Sequence, residues 1–179
     1  MPGNTGWYCR VLLPVREALR ETPVAPRVGK DGIVHLAGVL EVPVLLSEQY
    51  PQGLGGSVPA VMEAAAAVEA ERAEKMTFSF CADETCRKKL SGVMRPQVLL
   101  VGIEAHVCVY QTALDLLEMQ MTPVVLADAV GSRRLSDYQI ALDGLRAAGV
   151  VVTTTESAIF QLLHESGTPM FKRILPLVK

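Results

Sequence analysis

Short apolar runs rich in Val, Ile and Leu alternate along this chain with longer stretches of helical composition, and that alternation is the strongest constraint on its fold. A strand that is apolar throughout has both faces buried, which in a repeating strand–helix pattern means a parallel sheet covered by helices. Strands are read at 7–13, 43–48, 97–103, 122–127 and 149–153, and helices at 33–40, 59–75, 105–120, 134–148 and 156–165. The tail 170–179 reads as a short helix or an arm. Ser57 stands as N-cap of the second helix, and Gly149 stops the helix before it. The expected fold class is α/β, a three-layer α/β/α sandwich around a mainly parallel, Rossmann-like sheet.

With 179 residues the chain is long enough for one domain with a sizeable core and too short for two ordinary ones, so 1–179 reads as a single domain. Hydrophobic residues make up 50% and charged residues 20%, which excludes a disordered chain. Seventeen Lys and Arg against nineteen Asp and Glu leave a net charge of −2 with the two signs mixed, so no nucleic-acid partner is expected. The apolar runs fall short of the ~20 residues that cross a bilayer, so no membrane partner is expected either. The first thirty residues lack a secretory signal, while Arg10, Arg16, Arg20 and Arg27 leave an organellar presequence open; the expected compartment is the cytoplasm. Cys9, Cys81, Cys86 and Cys108 show no repeated spacing and read as free thiols, with Cys81 and Cys86 on a helix face or at the surface.

The segment 98–108 runs from a buried strand through Gly102 into a helix, which puts Cys108 in that helix's first turn. Free backbone N–H groups and the positive end of the helix dipole favour a thiolate there, and the same groups could hold an oxyanion. On spacing alone the competing reading is a small buried hydrophobe in an apolar core. Lys75 has a bland reading too, an exposed i,i+4 pair with Glu71 on one helix. Glu104, at a helix N-terminus, is explained equally by substrate orientation and by capping. His35, His106 and His164 are scattered without ligand spacing, so no metal and no cofactor are expected. Asp128 reads as a residue that ties down a loop.

Four ordered stretches carry a resemblance. They are Leu40-Glu41-Val42-Pro43-Val44 with residues 47–55, then Lys75-Met76-Thr77-Phe78-Ser79, then 102–108, then Thr154-Thr155-Glu156-Ser157. From residue 33 onward the sequence resembles the isochorismatase-like cysteine hydrolases, in particular the isochorismatase domain-containing proteins and the trypanosomatid MAR1-type proteins. The resemblance implies a site made of an Asp, a Lys and a nucleophilic Cys. Cys108 matches the nucleophile and Lys75 the lysine; Glu104, Tyr50 and Phe78 fall at substrate-binding positions. It implies a cis peptide between Ile103 and Glu104, with the N–H groups of Glu104 and Cys108 aimed at the oxyanion. It also implies a small amide-like substrate and a homo-oligomer. Related nicotinamidases bind metal through Asp-x-His, where this chain reads Glu48-Gln49-Tyr50.

Residues 1–32 are atypical for that family, because Pro14 stands where its Asp is expected and Arg16 where a Gln is usual. Glu17 and Glu21 are near in sequence but off the matching position. Proline moves no protons, and losing a positioned acid/base typically costs about 10² to 10⁴ in rate. Two readings follow: a cysteine hydrolase working on a small amide, or a catalytically impaired relative serving as a binding or oligomer subunit.

Overall fold

The computed structural model describes residues 11–13, 32–92 and 95–178. Six strands form one sheet: β1 (Val11–Leu13), β2 (Val44–Gln49), β3 (Glu71–Lys75), β4 (Gln97–Ile103), β5 (Thr122–Gly131) and β6 (Val151–Thr153). Their order is β3-β2-β1-β4-β5-β6, and every ladder is parallel. The chain builds outward from β1 to β3, then crosses back to lay β4 against the other side of β1. That reversal leaves a crevice beyond the carboxyl ends of β1 and β4, where open parallel sheets take their ligands.

Period-two alternation within the strands makes the sandwich. Val44 and Leu46, Leu99 and Val101, and Val124 and Leu126 pack against α1 (Ile33–Val39), α3 (Pro59–Ala67) and α7 (Thr155–Leu163). Leu45, Val98, Leu100 and Val125 face the other way, into α4 (Glu84–Ser91), α5 (Tyr110–Glu118) and α6 (Leu135–Ala147). Burying each such aliphatic side chain contributes about 1.5–3 kcal/mol. One turn, α2 (Pro51–Leu54), follows β2, and the tail forms α8 (Pro169–Val178), whose Ile174 is buried with Leu36 and Ile159.

Several boundaries differ from the sequence reading. The helix expected over 59–75 ends at Ala67, Glu69 takes a left-handed φ of 52°, and 71–75 becomes β3 by pairing with β2. The N-cap of α3 is Val58, while the Ser57 N–H donates to Glu48 Oε1 at 2.7 Å. The strand expected to stop at 127 runs on to Gly131 after a register shift opposite Leu100 and Gly102. The helix expected from Ala105 opens instead as a π turn over Ala105–Val109 before α5 begins. Gly149 does stop α6, with a φ of 89° that suits glycine alone. Of the first predicted strand, residues 7–10 lie outside the described residues, as does Pro14.

Candidate active site

β3 is an edge strand whose alternation decides where its lysine goes. Ala73 and Lys75 point inward while Arg72 and Glu74 face solvent, and Lys75 is only 3% exposed. In an extended strand, residues four apart are separated by about 13 Å, so the Glu71–Lys75 pair expected on a helix cannot form. Glu71 instead meets Lys89 of α4 at 2.9 Å. A buried ammonium must place its N–H donors. Lys75 Nζ donates to Gln49 Oε1 at 2.6 Å, to the Thr77 carbonyl at 2.9 Å and to the Phe78 carbonyl at 2.8 Å. Gln49 stands directly opposite Lys75 in the β2–β3 register, and its Nε2 donates to the Met76 carbonyl at 2.6 Å. Residues 76–78 are thereby wrapped around the lysine.

The adjacent β2 residue serves the other face. Glu48 accepts from the Ser57 N–H and pairs with Arg72 at 3.0 Å. Burial pushes its carboxyl up, but the Ser57 and Arg72 contacts outweigh that and hold it below its ordinary value. This carboxylate pins the loop after α2.

Gly102, the next-to-last residue of β4, has a φ of 99°, and the Ile103–Glu104 peptide is cis, as the resemblance implies. The chain then enters the π turn that carries Cys108. The Val107 and Val109 N–H groups both donate to the Glu104 carbonyl, at 3.1 and 3.2 Å. Such π turns are rare and recur at functional sites. Cys108 is half-buried, and together with Lys75, Ser47, Phe80, Val109 and Thr112 it lines a narrow cavity of about 20 Å³. Cys108 and Lys75, 33 positions apart by residue number, are thus brought to one place at the carboxyl end of the sheet.

Tyr50 and Phe78 are exposed, Phe78 by 54%, and neither lines that cavity. Tyr50 adopts a left-handed φ of 41°, donates its N–H to the Lys75 carbonyl at 3.0 Å, and lays its ring against Gly53, where a Cβ would come within 2.1 Å of the ring. Glu104 is engaged on both oxygens. Oε1 meets Arg133 Nε at 2.9 Å, while Oε2 accepts the Arg133 N–H at 3.3 Å and lies 3.3 Å from His106 Nδ1. His106 Nδ1 also contacts Ser132 Oγ at 3.0 Å. Asp128 Oδ1 accepts from the Thr155 N–H and hydroxyl at 2.8 and 2.9 Å, the loop tie read from the sequence.

Cys81 and Cys86 are core residues, not surface thiols; burial pushes both up to about 12, aided by Asp115 beside Cys81 and Asp83 beside Cys86. Gln49, Ser79, Thr112 and Asp115 escaped the sequence reading. The only signal for the last two was their spacing of four and seven from Cys108.

A wider cleft, about 560 Å³, is lined by His35, Glu41, Glu69 and Arg173 among others, at the amino ends of β2 and β3. It lies at the opposite end of the sheet from the cavity that Lys75 and Cys108 line. Among the described residues no group of three or more His, Cys, Asp or Glu is placed to hold a metal ion. No described helix is long and apolar enough to cross a membrane.

Comparison with known proteins agrees with this geometry. The isochorismatase domain matches residues 33–157. The secreted isochorismatase effector Isc1 of Phytophthora sojae is 39% identical over 153 residues, covering 84% of this chain and 73% of the relative. The structure of MAR1 ribonuclease from Caenorhabditis elegans superposes with a TM-score of 0.81 at 32% identity, covering 95% of this chain and 88% of that one. The Escherichia coli YcaC gene product, described as an octameric hydrolase of unknown specificity, shares the fold with a TM-score of 0.79 at 20% identity, covering 88% and 79%. The chain belongs to the isochorismatase family, and its hydrolase fold is the one that sets Lys75 and Cys108 in a common cavity.

Proposed function

We propose that the chain is a cysteine hydrolase of small amide-like substrates, with Cys108 as nucleophile and Lys75 as its electrostatic partner. The observation that carries the reading is their shared cavity at the carboxyl end of the sheet. An ammonium beside a thiol favours the thiolate, the attacking species. The sulfur adds to the substrate carbonyl, and the backbone N–H groups of Glu104 and Cys108 hold the resulting oxyanion. Collapse breaks the C–N bond and expels the amine, which takes, by way of water, the proton that the Cys108 thiol released on ionising, and water then adds to the thioester to give the free acid and restore the thiol. Tyr50 and Phe78 wall the mouth, and Glu104 holds Arg133 beside it. No metal or other cofactor enters this scheme.

A second reading is favoured by Pro14. Without the family Asp the amine lacks its proton donor, and the chain would act as a binding subunit. A homo-oligomer is supported by the octameric relative and by the exposed Tyr50, Leu54, Met76 and Phe78. Buried, unpaired thiols suit a reducing compartment, which supports the cytoplasm.

The test is a panel of small primary amides followed by ammonia release and by intact mass. Turnover that Cys108→Ala abolishes supports the hydrolase. An acyl adduct on Cys108 that accumulates without release supports the impaired reading. Turnover that survives Cys108→Ala removes Cys108 as nucleophile.

A further inference from the structure

Cys108, Thr112 and Asp115 stand at i, i+4 and i+7, a spacing that keeps side chains on one helix face. The cavity lining places Cys108, Val109 and Thr112 together on it, so the π turn does not break the stripe. The two later members of the stripe hold the loop that binds Lys75. Asp115 Oδ2 accepts the Ser79 hydroxyl at 2.5 Å, and Thr112 Oγ1 accepts the Phe80 N–H at 2.9 Å. Ser79 Oγ accepts the Cys81 N–H at 3.1 Å, and the Ser79 carbonyl accepts the Thr77 hydroxyl at 2.8 Å. At its other end the same loop gives its Thr77 and Phe78 carbonyls to Lys75 Nζ.

Residues 77–80 therefore form a bracket, fastened to the lysine on one side and to the cysteine's own helix on the other. We infer that Asp115 is a positioning residue for the Lys75–Cys108 pair, acting through Ser79, so that the helix that carries the nucleophile also sets where the lysine's carbonyl partners stand. This rests on the proposed pairing of Lys75 with Cys108. The bracket has a physical logic. Nζ is held by hydrogen bonds to backbone carbonyls, and their positions are only as fixed as the loop that bears them. A half-buried carboxylate accepting a hydroxyl at 2.5 Å is a short, charge-assisted bond of the kind that fixes such a loop. Small misplacements of reacting groups carry large rate costs.

The experiment reads Cys108 alkylation by iodoacetamide across pH, with peptide mass spectrometry, in the full chain, alongside the thermal midpoint of each variant. Asp115→Ala and Ser79→Ala should each slow Cys108 labelling at pH 7 about tenfold, in the range by which such misplacement acts. Asp115→Asn, whose amide oxygen still accepts the Ser79 hydroxyl, should recover most of that loss, which a general loss of helix stability would not predict. Combined with Lys75→Met, Asp115→Ala should add little beyond Lys75→Met alone, because it acts through the lysine. If Asp115→Ala fails to fold, Ser79→Ala carries the same test with a smaller change. Labelling at the wild-type rate in Asp115→Ala and Ser79→Ala, with Lys75→Met slowed, overturns the positioning role and leaves the proposed pair standing. Effects that multiply in the double variant overturn it as well. Wild-type labelling in Lys75→Met overturns the pair itself, and the positioning role falls with it.

Discussion

Cys108 and Cys86 both sit in the first turn of a helical segment packed on the same face of the sheet, Cys108 in the π turn ahead of α5 and Cys86 three residues after the N-cap of α4. By helix-terminus arguments alone, both thiols would be favoured as thiolates. Their surroundings separate them. Cys86 is fully buried among Phe80, Leu90 and Cys81, and Asp83 caps its N–H at 3.0 Å. Burial first, and that carboxylate second, push the thiol up to about 12. Cys108 is half-buried and opens on a cavity that Lys75 also lines, whereas Cys86 is closed in beside Asp83, and the opposing pull of Lys75 and Lys89 on its thiol is outweighed. A helix N-terminus is therefore a weak term here, and the neighbouring charge and access to water decide.

The largest effect that could break this comparison is differential alkylation of the native protein at pH 7. A thiol near 12 is ionised to about one part in 10⁵ at that pH, so Cys86 and Cys81 should react at least about a hundredfold more slowly than Cys108. In denaturant the three rates should converge. Equal rates in the folded chain would erase the distinction.

How far the sequence could announce this differs between the two sites. β4 and the Val44-Leu45-Leu46 start of β2 were legible because they are apolar on both faces, and β4 occupies the expected 97–103. β3 was not, because Glu71-Arg72-Ala73-Glu74-Lys75 has one solvated face and charges typical of a sheet edge; pairing with β2, a tertiary fact, makes it a strand. Lys75 was consequently legible only through the resemblance, since its burial follows from strand alternation that the helix reading hid. The Cys108 turn was legible from the strand–glycine–helix order, although its π geometry was not. Of the two readings of Cys86, a helix face holds and the surface does not; its burial was hidden because α4 is strongly charged, and only Cys86 and Leu90, four apart, are buried on it. Two inward residues in a short helix make a faint periodicity.

A second prediction sharpens the contrast through stability. Cys86→Ser buries a hydroxyl among apolar neighbours, and although Asp83, which the thiol already hydrogen-bonds, can accept it, the loss should be about 1 kcal/mol, the low end for burying a hydroxyl, which for a chain of this size lowers the thermal midpoint by about 2–4 °C. Cys108→Ser should stay within about 0.5 kcal/mol, since its side chain already faces a partly open cavity. Thermal unfolding of the two variants side by side reads the difference. Equal losses would mean that both cysteines serve packing alone.

The finest test isolates the charge beside Cys86. Asp83→Asn keeps an oxygen able to cap the Cys86 N–H while removing the carboxylate, so α4 should persist with a loss of no more than a few tenths of a kcal/mol, against ~1 kcal/mol for Asp83→Ala. Because burial is the first cause of the Cys86 shift and the carboxylate the second, removing the charge should lower that thiol's ionisation only in part. Cys86 should stay unlabelled at pH 7 on the timescale that modifies Cys108. If Asp83→Asn instead made Cys86 as reactive as Cys108, neighbouring charge would outweigh burial at this position. The quiet of Cys86 would then be an electrostatic property of the Asp83 side chain, and access to the cavity would not be what separates Cys108 from it.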